Sequence, residues 1–376
     1  MQEVVPKKWI GQFTSFWGDN RFNRVREHDR EMFGYAVDAA VAGLVLKDKQ
    51  LLRLAARYAL SIGMCDHWEQ SFICRFPGSS WEHRSFVPAL CAEDVALTLD
   101  LAGEMFTSTG RDFLMRRLAE EALGNINFNT WKFDYIFQCN QLAWSTPGRM
   151  AAYTVLEHDW PRVKPYTELA YRDLLENLDN IILPDDGFVE GPSYFDVVVQ
   201  QACASLFYYA RARGLEFDSV VPDVLRQSSD FSAAIASTTP EDDVIPICDS
   251  VARMHDETLA LMAALMPTSQ WTTMFHKHLG RNGGLPRTVI GWQMMEKIPR
   301  QAPAAPNYVE LPEMGLIASE RRLGEHTVKL LVLGNRAGAG HSHEDKGSFV
   351  LEFAGETFAM APGSCSYSNP LSQVLK

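Results

Sequence analysis

Ile298-Pro299-Arg300-Gln301-Ala302-Pro303-Ala304-Ala305-Pro306 splits the chain into two kinds of sequence. Proline fixes φ and lacks a backbone donor, so neither a helix nor a ladder strand continues through such a run. Before it, apolar residues recur at helical spacing: Leu51, Leu54, Ala55, Tyr58, Ala59 and Ile62 form one stripe, and Leu174, Leu175, Leu178, Ile181 and Ile182 form another. Further helices are expected at 27–46, 86–106, 111–124, 141–156, 195–213, 222–237 and 255–265, cut apart by Thr109-Gly110 and Pro184-Asp185-Asp186-Gly187. Helices joined by short turns pack as antiparallel hairpins, and a ring of hairpins is an α/α toroid. After the break, Gly315–Ser319 and Thr327–Leu333 read as strands. The expected fold is mainly α with a C-terminal β region: a complete or incomplete α/α toroid over 1–300, a Pro-rich linker over 301–312, and part of an antiparallel sheet or sandwich over 313–376.

The 376 residues suffice for one large core or two domains, and no apolar run approaches the length of a membrane span. A net charge of −12 argues against a nucleic-acid partner, which needs a clustered basic face. The seven cysteines form no CxxC pair, and an odd number cannot all pair within one chain, so they read as small buried thiols. Met1–Lys8 lacks the apolar run of a signal peptide, which fits a cytoplasmic protein or a leader outside this chain.

Chemistry concentrates in Ala339-Gly340-His341-Ser342-His343-Glu344-Asp345-Lys346-Gly347-Ser348-Phe349. In extended backbone His341, His343 and Asp345 project from one face. The segments 348–353 and 356–360, joined by Ala354-Gly355, read as a hairpin. Two imidazoles and a carboxylate suit zinc, and a dizinc hydrolase is one reading, although Lys346 stands where its further histidine belongs.

A second reading comes from resemblance. His341-x-His343-x-Asp345 followed by Ser348-Phe349, with Ala361-Pro362-Gly363 and Tyr367 downstream, resembles the opening of the β-domain in the heparinase II/III family of polysaccharide lyases. Asp186-Gly187-Phe188-Val189-Glu190-Gly191-Pro192-Ser193-Tyr194 is similar to that family's D-G-x-x-x-E-G-x-x-Y segment, and Asn140-Gln141 matches its uronate-facing asparagine. The resemblance implies catalytic roles for Asn140, Tyr194 and His341, and an anionic polysaccharide or oligosaccharide as partner. Gln141, Arg149, Arg336, His343, Lys346 and Tyr367 are the expected substrate contacts. It also implies a periplasmic or secreted setting and a chain that is a fragment or a shortened relative. Two departures stand out. Gln141 replaces a histidine common in the family, and Ala361 replaces an aspartate that ligates zinc in some members, so no cofactor or metal is expected.

A uronate lyase removes the C5 proton and expels the C4 oxygen. The sugar carboxylate must be neutralised as the enediolate forms, a task for Asn140 with Gln141 assisting, while Tyr194 and His341 serve as base and acid. Tyr367 offers a second phenol for the acid role. Read without the resemblance, Asn140 is a helix cap, Glu190 bonds backbone within its own turn, and Asp249 is a loop residue. Two rivals remain: a glycoside hydrolase using Asp185, Asp186 and Glu190, and a carbohydrate-binding protein without activity.

Overall fold

The computed structural model describes residues 34–65, 68, 85–334, 340–341, 343 and 346–360. They gather into two compact units. The first holds the described residues up to Phe137 together with Gln141–Leu174 and Ser205–Ser219. The second holds Gln138–Asn140, Leu175–Ala204 and those from Val220 onward.

Among the described residues the helices, in chain order, are α1 (Tyr35–Val45), α2 (Lys49–Gly63), α3 (Phe86–Leu101), α4 (Ser108–Arg117), α5 (Gly124–Lys132), α6 (Asn140–Asp159), α7 (Lys164–Ile181), α8 (Pro192–Arg213), α9 (Ser229–Ile235), α10 (Asp256–Leu265), α11 (Gln270–Asn282) and α12 (Val289–Met295). In the first unit, α2 begins where the Asp48 carboxylate accepts the Gln50 N–H at 2.7 Å, and it buries Ala55, Tyr58, Ala59 and Ile62 of the expected stripe, with Leu52 and Ala56 buried beside them while Leu51 and Leu54 are only half-buried. Gly148 lets α6 lie directly on α3, because a Cβ there would collide with the Ala89 carbonyl.

The second unit ends in an antiparallel sheet in the order β1 (Tyr308–Leu311), β2 (Leu316–Leu323), β3 (His326–Leu333), β4 (Phe349–Phe353), β5 (Glu356–Ala359). This is the expected fold class, helices followed by an antiparallel β region. The β4–β5 turn uses Ala354 at φ 53° and Gly355 at φ 83°, the paired left-handed residues of a tight hairpin. Alternate residues of the sheet are buried, Val309, Leu316, Ala318, Leu331 and Val350 among them. Two charged groups also turn inward: Lys329 donates to the carbonyls of Ala233 and Ala236 at the end of α9 (2.8 and 2.6 Å), and Glu352 accepts from Ser237 and Thr238. Phe195, Phe231 and Trp271 interlock, with Phe195 stacked 5.2 Å from Trp271, and so anchor the first turns of α8.

Three expectations shift. The helix expected over 222–237 is a 3₁₀ turn, Asp223–Arg226, followed by the short α9. Helices α11 and α12 and strand β1 lie where no element was anticipated. The first residues of the expected 27–46 helix lie outside the described residues.

Candidate functional site

Every residue of the cluster described next belongs to the second unit. The chain after α7 turns at Asp186, whose φ is 70°, and at Gly191, whose φ is 84°, before Pro192 starts α8. Gly191 has no room for a side chain, since a Cβ would stand 2.9 Å from Cys248 Cβ and 3.1 Å from the Ile247 carbonyl. Ser193 then bonds to two successive residues: Ser193 N–H donates to Ser250 Oγ at 3.1 Å, and Val251 N–H donates to Ser193 Oγ at 2.9 Å. The loop 248–251 is thereby fastened to the first turn of α8, which carries Tyr194.

Glu190 is 2 % exposed and reaches Asn140, 50 residues away, accepting its backbone N–H and its side-chain Nδ2 at 3.0 Å each on Oε2. Asn140 is the first residue of α6, so a carboxylate from elsewhere in the chain caps that helix and holds the amide at once. Burial pushes the Glu190 carboxyl above its usual range, and His341 and the bonds from Asn140 offset only part of that.

His341 adopts left-handed backbone, φ 58°, and its imidazole lies on the Tyr194 ring with centroids 3.7 Å apart. Its Nδ1 is 3.0 Å from Asp249 Oδ2, and its Nε2 is 3.8 Å from Glu190 Oε1. The other Asp249 oxygen lies 3.0 Å from His343 Nε2. Asn140, Tyr194 and His341 are therefore linked through Glu190 and ring stacking, and Asp249 ties His341 to His343.

The expected substrate contacts fare differently. His343, an expected substrate contact, is 4 % exposed, and its Nε2 faces Asp249. Arg149 is 1 % exposed in the first unit, paired with Asp173 at 2.7 Å and bonded to Asn127, so it is a core ion pair and not a cleft cation. Gln141 follows Asn140 on α6 and is half-buried, and Lys346 is exposed on the turn before β4. Arg336, Tyr367, Asp345 and Ala361 lie outside the described residues. Glu190 and Asp249 were missed as partners of the site, because both act on residues distant in sequence. The place of Glu190 inside the D-G-x-x-x-E-G segment was the available signal, whereas nothing around Ile247-Cys248-Asp249-Ser250 pointed to the histidines.

For the hydrolase alternative, Asp185 is committed to backbone, accepting from Gly187, Glu313 and Met314 at 3.1, 2.5 and 3.0 Å. Glu190 is committed to Asn140. Only Asp186 remains, its carboxyl pushed up to about 6 by burial and then by Asp230 and Asp185. A metal fits no better. Among the described residues no three His, Cys, Asp or Glu side chains are arranged to hold an ion, and one nitrogen of each histidine at the site is directed at Asp249.

No family model and no curated protein matches the sequence. Solved structures do. A heparinase III gene product superposes with a TM-score of 0.59 over 92 % of this chain and 53 % of its own, at 15 % identity. The fold is that of heparinase III. A second heparinase III gives a TM-score of 0.56 at 16 % identity, covering 89 % of this chain and 50 % of that one. A variant of heparan sulfate lyase HepC from Pedobacter heparinus gives 0.55 at 13 %, covering 95 % and 52 %. The heparinase III fold joins an α/α toroid to a β-sheet, as the periodicity and the Pro-rich break implied. This chain spans about half the length of these structures.

Proposed function

We propose that this protein is a polysaccharide lyase that cleaves a uronate-containing chain by β-elimination. The observation that carries the reading is the Tyr194–His341 ring stack set beside an Asn140 amide held by a buried carboxylate. That set contains the parts an elimination needs. An amide donor meets the sugar carboxylate as negative charge spreads into it, lowering the cost of taking the C5 proton. One of His341 and Tyr194 accepts that proton, and the Tyr194 hydroxyl gives one to the departing C4 oxygen, so no water is consumed. A hydrolase would need two carboxyl groups free to face a ligand, whereas Asp185 and Glu190 are both engaged, with backbone N–H groups and with Asn140. The heparinase III fold supports the same class of activity.

The test is to screen uronate polymers, sulfated and non-sulfated, for a new unsaturated end that absorbs in the ultraviolet. Product with that absorbance, formed without incorporation of solvent oxygen-18, is the expected result. Saturated products carrying solvent oxygen would sink the lyase reading in favour of hydrolysis, and tight binding without product would sink it in favour of a binding protein.

A further inference from the structure

We propose that Asp249 is a positioning residue that holds His341 with its proton on Nδ1, making Nε2 the nitrogen that exchanges protons, and that His343 braces Asp249 in that task. What Nε2 then does rests on the lyase reading; the placement of the proton does not.

The Asp249 side chain is 2 % exposed, and both of its oxygens are engaged: Oδ2 lies 3.0 Å from His341 Nδ1 and Oδ1 lies 3.0 Å from His343 Nε2. A carboxylate only accepts, so each imidazole must present an N–H to it. With a single proton on the ring, His341 therefore carries it on Nδ1. The same rule puts the His343 proton on Nε2 and leaves Nδ1 as a lone pair. Among the described residues that atom is buried without a hydrogen-bond partner. A buried acceptor without a partner is tolerated more readily than a buried N–H, so the opposite tautomer would be the worse choice twice over.

Backbone geometry shows that this arrangement is imposed by the fold. The Asp249 N–H donates to the His341 carbonyl at 3.1 Å, a second tie between the same two residues. His341 and Cys248 both take left-handed backbone, φ 58° and 56°, which non-glycine residues seldom adopt and which persists only where surrounding contacts over-determine it. Those contacts are the close approach of Gly191 to Ile247 and Cys248 and the bonds of Ser193 with Ser250 and Val251. Among the described residues, the charged and titratable groups facing His341 include Asp249 from the 248–251 loop, Glu190 from the turn before α8, and the Tyr194 phenol from α8 itself.

The experiment is nitrogen-15 NMR of the histidine rings in the full chain at alkaline pH, with assignment by His341→Gln and His343→Gln. The parent is expected to show His341 protonated on Nδ1, and Asp249→Ala to move a large part of that proton to Nε2. A parent spectrum with the proton on His341 Nε2, or one that Asp249→Ala leaves unchanged, would overturn the proposal. Should Asp249→Ala fail to fold, the parent spectrum decides alone. On a polymer that the parent cleaves, Asp249→Ala should lower kcat on the order of 10²–10⁴-fold with KM little changed. A variant with parental kcat would also overturn the proposal while leaving the lyase reading intact. A parent that yields no unsaturated product would sink that reading, and the spectra would still settle the tautomer.

Discussion

The phenol of Tyr194 lies nearly flat on the imidazole of His341, centroids 3.7 Å apart and planes 17° from parallel. One ring sits in the first turn of α8 and the other on left-handed backbone at the edge of the sheet region, both within the second unit. Stacking restricts the rotamers of both, so two proton-carrying groups are presented together without a loop having to close on them. The arrangement lends itself to subtraction one atom at a time.

Tyr194→Phe deletes the hydroxyl and keeps the stacked ring. In the lyase reading kcat should fall on the order of 10²–10⁴-fold, with the melting temperature nearly unchanged and substrate affinity retained. Initial rates by ultraviolet absorbance and a thermal melt check this. A variant with near-parental rate would remove the phenol from proton transfer.

Gly340→Ala tests how tightly the cluster is built. A Cβ at this position would come within 2.7 Å of Glu190 Oε1. Glu190 is buried and tied to Asn140, so it cannot yield without moving the amide. A shift of ~1 Å at a positioned group costs about 100-fold in rate, and that is the expected loss in kcat. Wild-type kinetics for this variant would show that the amide is not positioned through Glu190.

Parts of this were legible in the sequence, for physical reasons. The stripe on α2 and the alternation in β2 and β3 follow from burial of one face, which the spacing of apolar residues reports directly. Helix α11 escaped notice because its buried face, Trp271, Met274, Phe275 and His278, includes a histidine that apolar spacing does not score. Asn140, Tyr194 and His341 were found through motifs, whereas Glu190 and Asp249 act on groups 50 and 92 residues away, a relation that no local pattern encodes. Arg149 was misjudged because a lone arginine looks like surface. Its partner Asp173 lies on the next helix, and pairing across an antiparallel hairpin was the available clue.

Glu190→Gln should reveal the cost of burying that carboxylate. The folded-state pKa is raised above the unfolded value, 4.5, chiefly by burial. The folded chain then holds its proton where the unfolded chain has lost it, so stability falls as pH rises past 4.5 and through the folded pKa. Relative to the parent, Glu190→Gln should gain stability over that window. Urea denaturation across the acid range is the measurement, and a pH-independent difference would refute the linkage.

His278 provides the opposite sign. Its Nδ1 is 3.0 Å from Asp243, its Nε2 contacts Asp256, and Arg281 joins Asp243 at 2.6 Å. Hydrogen bonding to Asp243 leads in raising the His278 pKa, against partial opposition from burial. The stability this contributes is full below the unfolded value of 6.5 and is lost as pH rises through the folded pKa. His278→Gln should therefore cost ~1–3 kcal/mol near pH 6 and less at alkaline pH. Equal losses in urea at both pH values would show that packing, not charge, makes the contribution.

Substrate charge yields the last prediction. The chain carries 35 basic against 47 acidic residues, and its site adds buried carboxylates at Glu190 and Asp249. Arg149, the basic residue closest in sequence to Asn140 among the expected contacts, is spent on Asp173. Each sulfate on a substrate needs a matching Arg or Lys to offset its desolvation, and the long-range field here opposes polyanions. A non-sulfated or sparsely sulfated uronate polymer should consequently be cleaved faster than heparin. Comparing initial rates at low and moderate salt separates the field from the site, since screening at about 0.15 M reaches only ~8 Å. If added salt narrows the gap, long-range repulsion was responsible; if heparin remains slow, the site itself lacks sulfate partners. Faster cleavage of heparin at both salt concentrations would contradict the prediction.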